Sequence, residues 1–170
     1  LDNNGLVVYI GSFSSTLFPS IKISYMVLPL PLRRLFLEAL GGYTQTCSKS
    51  EQLTLALYMG KGYYQTNLKK LRKLYMQKIQ LATAAINRHA SGRIRILNNS
   101  SGLHMLLSFP DRLSLKTAAE ICRSAAERGL TMSPVNNFGG EGEPAAVIFY
   151  YTRIPAEKIE KAIIDLVSLL

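Results

Sequence analysis

Hydrophobic and polar residues near the start of the chain follow a two-residue period. Residues 6–10 (LVVYI) form an apolar run, and residues 21–27 (IKISYMV) alternate between apolar and polar side chains. Both runs are short and rich in β-branched or aromatic residues, so they predict strands, and we expect the first to be buried. Pro29 and Pro31 are expected to stop the second strand, because proline cannot donate a ladder hydrogen bond.

The next part of the chain changes to a spacing of three to four residues, which predicts helices over 32–40, 51–59 and 63–89. Gly41 and Gly42 follow the first of these helices. Ser48 and Glu51 have the S-x-x-E form of a capping box, which would open the second. The third carries an apolar stripe that we expect to be buried, namely Leu68, Leu71, Tyr75, Ile79, Ala82 and Ile86.

The last part of the chain mixes the two periods. It predicts strands over 93–96, 103–109, 130–135 and 146–151, with a Gly-rich loop over 136–144. Ser114 is expected to cap a helix that ends at Arg128, and Pro155 to open a final helix. The inward residues of that final helix would be Ile159, Ile163, Leu166 and Leu170. The sequence therefore predicts an α+β fold, in which helices cover a small mixed or antiparallel sheet.

Size and composition agree with one globular domain. The chain has 170 residues, of which 48% are hydrophobic and 18% charged, and no apolar run approaches the roughly 20 residues that span a bilayer.

The chain begins at Leu1 without an initiator Met or a signal peptide, so we expect a fragment or a trimmed chain. Cys47 and Cys122 lack metal-ligand spacing and suggest a reducing, cytosolic setting, with Cys122 an inert buried thiol.

A net charge of +9 raises the question of nucleic-acid binding. Five cations, Lys69, Lys70, Arg72, Lys73 and Lys78, fall on the predicted helix 63–89. A solvated helix face is the interpretation we favour, because no zinc-finger or helix-turn-helix signature accompanies the charge. A basic nucleic-acid-binding module remains an alternative hypothesis.

Four hydroxyl residues lie within five positions after the first strand: Ser12, Ser14, Ser15 and Thr16. Hydroxyls and backbone N–H groups at the end of a strand can bind a phosphate, and Lys22 lies seven residues beyond Ser15. By spacing alone, an ordinary Ser-rich turn is the favoured interpretation. His89 and His104 have no metal-ligand spacing, and His104 is expected to be a hydrogen-bonded structural residue.

The same stretch carries a family resemblance. The segment YIGSFSSTLFPSIKISYMVLP resembles the pattern G-[ST]-F-S-K-x-L-x-P-x-[LI]-R-[LI]-x-Y of the MocR/GabR-like transcriptional regulators. The segment SEQLTLALYMGKGYYQTNLKKLRKLY is similar to the family's E-Q-x-x-L-A helix and the basic helix that follows it. SGLHMLLSF and IPAEKIEKAI resemble the family's A-G-L-H strand and terminal helix. The likeness runs in order along essentially the whole chain.

The resemblance implies an architecture and a function. Family members join a winged-helix DNA-binding domain to a domain like the fold-type I aminotransferases, which depend on pyridoxal 5'-phosphate. Residues 1–30 would be a strand–turn–strand remnant of the large cofactor-binding subdomain, and residues 31–170 a helical connection and the C-terminal small subdomain. The full-length protein would be a cytoplasmic homodimer that senses an amino-acid-like effector, with its DNA-binding domain outside this chain. A fragment of a true aminotransferase is the alternative.

The resemblance also implies roles for individual residues. Ser12 and Ser14 would lie beside the cofactor phosphate, and Lys22 takes the place of the family's phosphate-binding arginine. Lysine keeps the charge but lacks the planar fork of arginine, so we expect weaker phosphate binding. Ser15 stands where the family has the Schiff-base lysine. Since a hydroxyl cannot form an imine, we expect no covalent cofactor and no enzymatic activity.

The family's effector-binding arginine falls at Ile148 in this chain. Arg153, five residues further on, is a candidate substitute. The alternative interpretation of Arg153 is an exposed cation that caps a helix.

Overall fold

A computed structural model describes residues 4–44, 46–100, 102–110, 117–135 and 145–170. The strands are β1 (Tyr9–Ser12), β2 (Ser24–Val27), β3 (Arg95–Asn98), β4 (Met105–Phe109), β5 (Met132–Pro134) and β6 (Ala145–Phe149). The helices are α1 (Leu30–Ala39), α2 (Lys49–Gly60), α3 (Tyr63–His89), α4 (Ala118–Glu127) and α5 (Ile159–Val167). Two short 3-10 turns, Tyr151–Arg153 and Ala156–Lys158, precede α5. The predicted α+β class is confirmed.

The chain forms two compact units, and the boundary between Leu71 and Arg72 lies within α3. In the first unit, β1 and β2 pair antiparallel, with Gly11 opposite Tyr25 and Ser12 opposite Ser24. A Cβ at Gly11 would meet the ring of Tyr25, so a larger residue here would require that ring to move.

A small core holds the first unit together. Its buried members are Ile21, Ile23 and Leu55, and the partly buried residues packed against them are Phe13, Leu17, Cys47 and Met59. Ile21 and Ile23 precede β2 in the chain and alternate with exposed residues. The alternation predicted for residues 21–27 therefore holds only up to Ser24: all four residues of β2 are exposed, and only Ser24–Val27 pairs with β1.

The first predicted strand differs from the structure in extent and in burial. β1 begins at Tyr9 and continues through Gly11 to Ser12, and the apolar residues before the bend are exposed, with Leu6 at 81% and Ile10 at 77%. The expectation of a buried strand over 6–10 was wrong. A two-stranded sheet lacks the second layer that buries a strand face, and the side chains that reach the core lie after β1.

The helices of the first unit begin earlier than predicted. Pro31 lies in the first turn of α1, where its missing N–H costs nothing, so it opens the helix. α2 begins at Lys49, and Ser48 makes no side-chain cap hydrogen bond. The Ser48 hydroxyl instead pairs with the Ser50 hydroxyl at 2.8 Å, so the predicted capping box is not formed. The bounds of α3 match the prediction.

The second unit is built on a four-stranded antiparallel sheet in the order β3-β4-β6-β5. In the central pair, Leu107 lies opposite Val147 and Met105 opposite Phe149. These four side chains are buried in one core with the inward residues of α3, α4 and α5. The helix residues of that core are Ala82, Ala85, Ile86, Ile121, Cys122, Ala125, Ile159, Ala162, Ile163, Leu166 and Val167.

α4 is capped by Thr117, not by Ser114. The Thr117 hydroxyl accepts a hydrogen bond from the Glu120 N–H at 3.3 Å, and the Glu120 carboxylate accepts one from the Thr117 N–H at 2.7 Å. This reciprocal pair is a capping box. Ser114 and the predicted loop over 136–144 lie outside the described residues. Gly129 follows the helix with a φ of 76°, a conformation that favours glycine.

The end of the chain forms the predicted amphipathic helix, but the helix begins later than predicted. Pro155 precedes the 3-10 turn Ala156–Lys158, and α5 begins only at Ile159. Ile159, Ile163 and Leu166 are fully buried, as the spacing predicted. None of the helices in the described ranges is long and apolar enough to cross a membrane.

Candidate functional site

The Ser-rich bend comprises residues 12–20, after the start of β1. Its backbone hydrogen bonds are centred on Phe13. The Phe13 N–H donates to the Ile23 carbonyl at 3.1 Å, and the Phe13 carbonyl accepts from the N–H groups of Thr16 at 3.2 Å and Leu17 at 2.9 Å. These bonds connect the end of β1 to the segment that leads into β2. They also engage the backbone N–H groups of Thr16 and Leu17, which fixes the backbone conformation of the bend.

The side chain of Phe13 points into the first unit. Its ring lies 5.5 Å from that of Tyr25 and 5.7 Å, edge-on, from that of Tyr64. Such aromatic pairs add to the free energy gained by burial. With Phe13 packed on the core, the serines on either side of it are left at the surface of the bend.

Thr16 has a structural role in the bend. Its hydroxyl lies 3.2 Å from the Tyr64 hydroxyl, and its carbonyl accepts from the Asn67 amide at 3.2 Å. Both partners lie on α3, about fifty residues along the chain. No local pattern in the sequence predicts these contacts. Thr16 therefore fastens the bend to α3 and is not an open hydroxyl.

The three serines remain available at the bend. The hydroxyls of Ser12 and Ser14 lie 2.8 Å apart, and the Ser14 N–H points to the Ser12 hydroxyl at 3.4 Å. Ser15 is exposed, and neither its hydroxyl nor its N–H is hydrogen-bonded within the part of the chain that the structure describes. The structure thus brings Ser12, Ser14 and Ser15 together as a group of donors.

Lys22 lies on the segment between the Ser-rich bend and β2. Ile21 and Ile23 are buried and Lys22 between them is exposed, so the lysine side chain points away from the core. The hydrogen bond between Phe13 and Ile23 holds the two segments side by side. Lys22 makes no ion pair among the described residues.

Exposed hydroxyl and N–H donors can bind a phosphate group, and an unpaired ammonium such as that of Lys22 would add a complementary charge. The bend residues therefore fit the phosphate of pyridoxal 5'-phosphate. They do not fit its aldehyde, since the Ser15 hydroxyl cannot take the place of an amine in an imine.

Arg153 belongs to the second unit and is exposed there. Its guanidinium carbon lies 5.2 Å from the centre of the Tyr150 ring, a cation–π contact. The turn that carries it is fixed by two hydrogen bonds, from the Tyr151 hydroxyl to the Gly102 carbonyl and from the Thr152 hydroxyl to the Leu103 carbonyl. Arg153 is also the basic residue in the last turn of the 3-10 helix Tyr151–Arg153, so both interpretations of this residue remain open.

Ile148 occupies the middle of β6, between Leu106 of β4 and Ser133 of β5. It is an apolar residue within the sheet, and it offers no group for a carboxylate.

Known proteins similar to this chain include bacterial transcriptional regulators. The chain is 37% identical over 136 residues to the uncharacterized HTH-type transcriptional regulator YdeL of Bacillus subtilis, covering 80% of this chain and 29% of YdeL. It is 33% identical to YhdI of the same organism over 96% of this chain and 34% of YhdI. It is 29% identical to the probable rhizopine catabolism regulatory protein MocR of Rhizobium meliloti over 88% of this chain and 30% of MocR. The homologues of this chain are MocR-type transcriptional regulators. The chain spans about a third of their length.

Solved structures with the same fold are fold-type I aminotransferases, as expected for a homologue of the MocR-type regulators. LysN, the α-aminoadipate aminotransferase of Thermus thermophilus, superimposes with a TM-score of 0.72 and 24% identity over 95% of this chain and 41% of LysN. The kynurenine aminotransferase of Pyrococcus horikoshii gives a TM-score of 0.77 and 20% identity over 98% of this chain and 41% of that enzyme. At this identity the likeness shows the fold alone. No protein-family profile matches the chain.

The basic helix α3 is less uniform than its sequence suggested. Lys69, Lys70, Arg72 and Lys73 are exposed, as a solvated face requires. Lys78 is only 7% exposed, and its ammonium donates to the Thr152 carbonyl at 2.8 Å. The fifth cation is therefore a buried structural residue of the second unit.

The remaining candidate groups have structural contacts. His89 and Arg88 both bind the Glu160 carboxylate, at 2.9 and 2.7 Å, and these hydrogen bonds lower the pKa of Glu160. Burial raises the pKa of the Cys122 thiol, in agreement with an inert cysteine. The His104 ring lies 6.3 Å from that of Tyr150. Within the described ranges, no group of three or more potential ligands could hold a metal ion.

Proposed function

We propose that this chain is the cofactor- and effector-sensing part of an aminotransferase-like domain in a DNA-binding transcriptional regulator. The observation that carries the proposal is the similarity to the MocR-type regulators, which extends over most of the chain. The full-length protein would be a cytoplasmic homodimer that binds DNA through a winged-helix domain outside this chain. Residues 1–30 would belong to the large cofactor-binding subdomain, and residues 31–170 to the small subdomain and its helical connection.

Regulation in such a protein is a coupling between two sites. An amino-acid-like effector shifts the DNA-bound state only if it binds two conformations of the protein with different affinity. Arg153 is our candidate for binding the effector carboxylate, because it is exposed and its planar guanidinium presents paired N–H donors. Its stacking on Tyr150 supports this role by limiting the freedom of a long side chain.

The bend would hold the phosphate of pyridoxal 5'-phosphate. The hydroxyls of Ser12, Ser14 and Ser15 would donate to phosphate oxygens, and Lys22 would neutralise part of their charge. When bound, the cofactor supplies an aldehyde and an electron-withdrawing ring. With Ser15 at the position of the family's lysine, this chain would bind the cofactor without a covalent bond and would not act as an enzyme.

Restoring the amine tests the assignment of Ser15. We expect Ser15→Lys to gain a covalent pyridoxyl adduct at position 15 after incubation with pyridoxal 5'-phosphate and reduction with borohydride, located by peptide mass spectrometry. The wild-type chain should show no adduct at this position. Ser20→Lys is the matched control, since Ser20 is an exposed serine near the end of the same bend. Equal labelling of the two introduced lysines would refute the assignment.

A fragment of an active aminotransferase is the second candidate, because the chain shares the fold of these enzymes. That candidate predicts transamination of an amino acid by the chain in the presence of pyridoxal 5'-phosphate. We expect none above the rate of the free cofactor, since transamination needs the lysine as a base as well as for the imine. Turnover by the wild-type chain would favour the enzyme.

A further inference from the structure

A cavity of about 490 Å³ lies in the first unit, next to the Ser-rich bend. Its walls come from the end of the bend, from α2 and from the first turns of α3. The lining residues are Leu17, Phe18, Ile21, Ser50, Glu51, Thr54, Leu55, Tyr58 and Asn67. The volume lies within the range of small-molecule sites, roughly 300–1,000 Å³, and the walls are mainly apolar, as such sites usually are.

The side chains of Thr54, Ser50 and Asn67 already use donors in hydrogen bonds within the protein. The Thr54 hydroxyl donates to the Ser50 carbonyl at 2.8 Å, and the Ser50 hydroxyl shares a hydrogen bond with Ser48 at 2.8 Å. The Asn67 amide group donates to the Thr16 carbonyl at 3.2 Å. Among the lining side chains, the Tyr58 hydroxyl and the second amide hydrogen of Asn67 are left as donors for a ligand.

Several hydrogen-bond acceptors in the cavity lining, in contrast, are not engaged by the protein. Glu51 is the charged residue of the lining, and its carboxylate forms no ion pair or hydrogen bond within the described part of the chain. The amide oxygen of Asn67 and the hydroxyl of Tyr58 also have acceptor capacity to spare. The cavity therefore offers acceptors and one negative charge, next to apolar walls.

We propose that this cavity binds a primary amine with an apolar or aromatic body. The ammonium group would pair with Glu51, and the body would lie against Leu17, Phe18 and Leu55. The faces of Phe18 and Tyr58 could add a cation–π contribution. A free amino acid should bind less well than the amine, because its carboxylate would meet Glu51 without a lining cation to neutralise it. This amine site is separate from the phosphate site proposed at the bend, and the proposal does not depend on that phosphate site.

The experiment is a titration of the 170-residue chain with phenethylamine and, separately, with its neutral analogue 2-phenylethanol. Binding is followed by the amide signals of Leu17, Leu55 and Tyr58 in ¹⁵N–¹H NMR spectra. We expect a Kd of about 1 mM for the amine, typical of a small ligand. The alcohol should bind about fivefold more weakly, since a partly exposed ion pair is worth roughly 1 kcal/mol. Phenylalanine should also bind more weakly than the amine.

Two variants separate charge from shape. Glu51→Gln should reduce the affinity for phenethylamine to that for the alcohol and leave the alcohol unchanged. Glu38→Gln is the matched control, because Glu38 is an exposed glutamate on α1 and outside the cavity. Thr54→Phe should fill the cavity and abolish binding of both ligands, with its fold checked by circular dichroism.

Several outcomes would overturn the proposal: equal binding of amine and alcohol by the wild type, no effect of Glu51→Gln, or amide shifts that map away from the cavity. The wild-type comparison and the shift map decide the matter even if a variant fails to fold. Because none of these measurements involves pyridoxal 5'-phosphate or position 15, failure here would leave the proposed regulatory function untouched.

Discussion

In the first unit, three buried apolar side chains, Ile21, Ile23 and Leu55, form the core, and α1 buries none of its residues. In the second unit, a four-stranded sheet and the helices packed on it bury a continuous core in which Met105, Leu107 and Phe149 are fully enclosed. Both units have strands with strongly apolar sequences. What differs is the number of elements that pack on those strands.

The comparison shows that apolar composition alone does not determine burial. Residues 6–10 are strongly apolar, like the strands of the second unit, yet they are exposed, and only Tyr9 and Ile10 belong to the two-stranded sheet. A sheet face is buried only when a second layer covers it.

The largest expected effect compares one leucine from each unit. Leu107→Ala removes a fully buried side chain and should lower the free energy of unfolding of the second unit by about 2–5 kcal/mol. Leu37→Ala, on α1 where the leucine is 54% exposed, should change stability by no more than about 0.5 kcal/mol. Urea unfolding followed by circular dichroism measures both. Similar losses in the two variants would contradict the difference in core size.

The next effect concerns the buried lysine. Lys78→Ala removes the donor to the Thr152 carbonyl and leaves that acceptor without its partner, so we expect a loss of about 1–3 kcal/mol. Lys73→Ala, an exposed position of the same helix, is the control and should be close to neutral. A loss no greater than that of the control would mean that the buried hydrogen bond contributes nothing to the second unit.

Helix capping gives a smaller difference of the same kind. Thr117→Ala should destabilise α4 by about 1 kcal/mol, because Thr117 caps the Glu120 N–H. Ser48→Ala should have little effect, since Ser48 makes no cap hydrogen bond to α2. Thermal unfolding of the two variants measures the contrast. A larger effect at Ser48 than at Thr117 would reverse our assignment of the capping box.

The smallest expected effect depends on pH. Because the pKa of Glu160 is lowered in the folded chain, its contribution to stability is complete above the unfolded pKa, near 4.3, and is lost as the pH falls through the lower folded value. The wild type should therefore lose more of its Tm between pH 5 and pH 3 than Glu160→Gln does. Glu157→Gln is the control variant, and we expect its Tm to fall between pH 5 and pH 3 as that of the wild type does. If the Tm of the wild type and of Glu160→Gln depended on pH in the same way, the Glu160 carboxylate would not contribute to stability as we expect.

The elements with a long, regular pattern could be predicted from the sequence. The bounds of α3 and the inward residues of α5 followed from their helical spacing. The start of α4 did not, because Thr117 and Glu120 have the same spacing as Ser48 and Glu51, and only the structure shows which pair forms the box. A cap depends on backbone geometry and on competing partners such as Ser50, which a local pattern does not contain.

The candidate site was visible in the sequence only in part. The cluster of hydroxyls at the bend is a local feature, but the roles of its members depend on distant residues. Tyr64 and Asn67 turn Thr16 into an anchor, and the aromatic contacts of Phe13 leave the neighbouring serines outside. The burial of Lys78 likewise depends on Thr152, which lies 74 residues further along the chain. Contacts at such separations have no signature in spacing or composition.

The enclosure of Lys78 has a chemical consequence. An amine that is buried and already donating to a carbonyl should escape acylating reagents while the second unit stays closed, whereas Lys69, Lys70 and Lys73 on the same helix should react at once. The extent of labelling at this single residue would then report how often the unit opens.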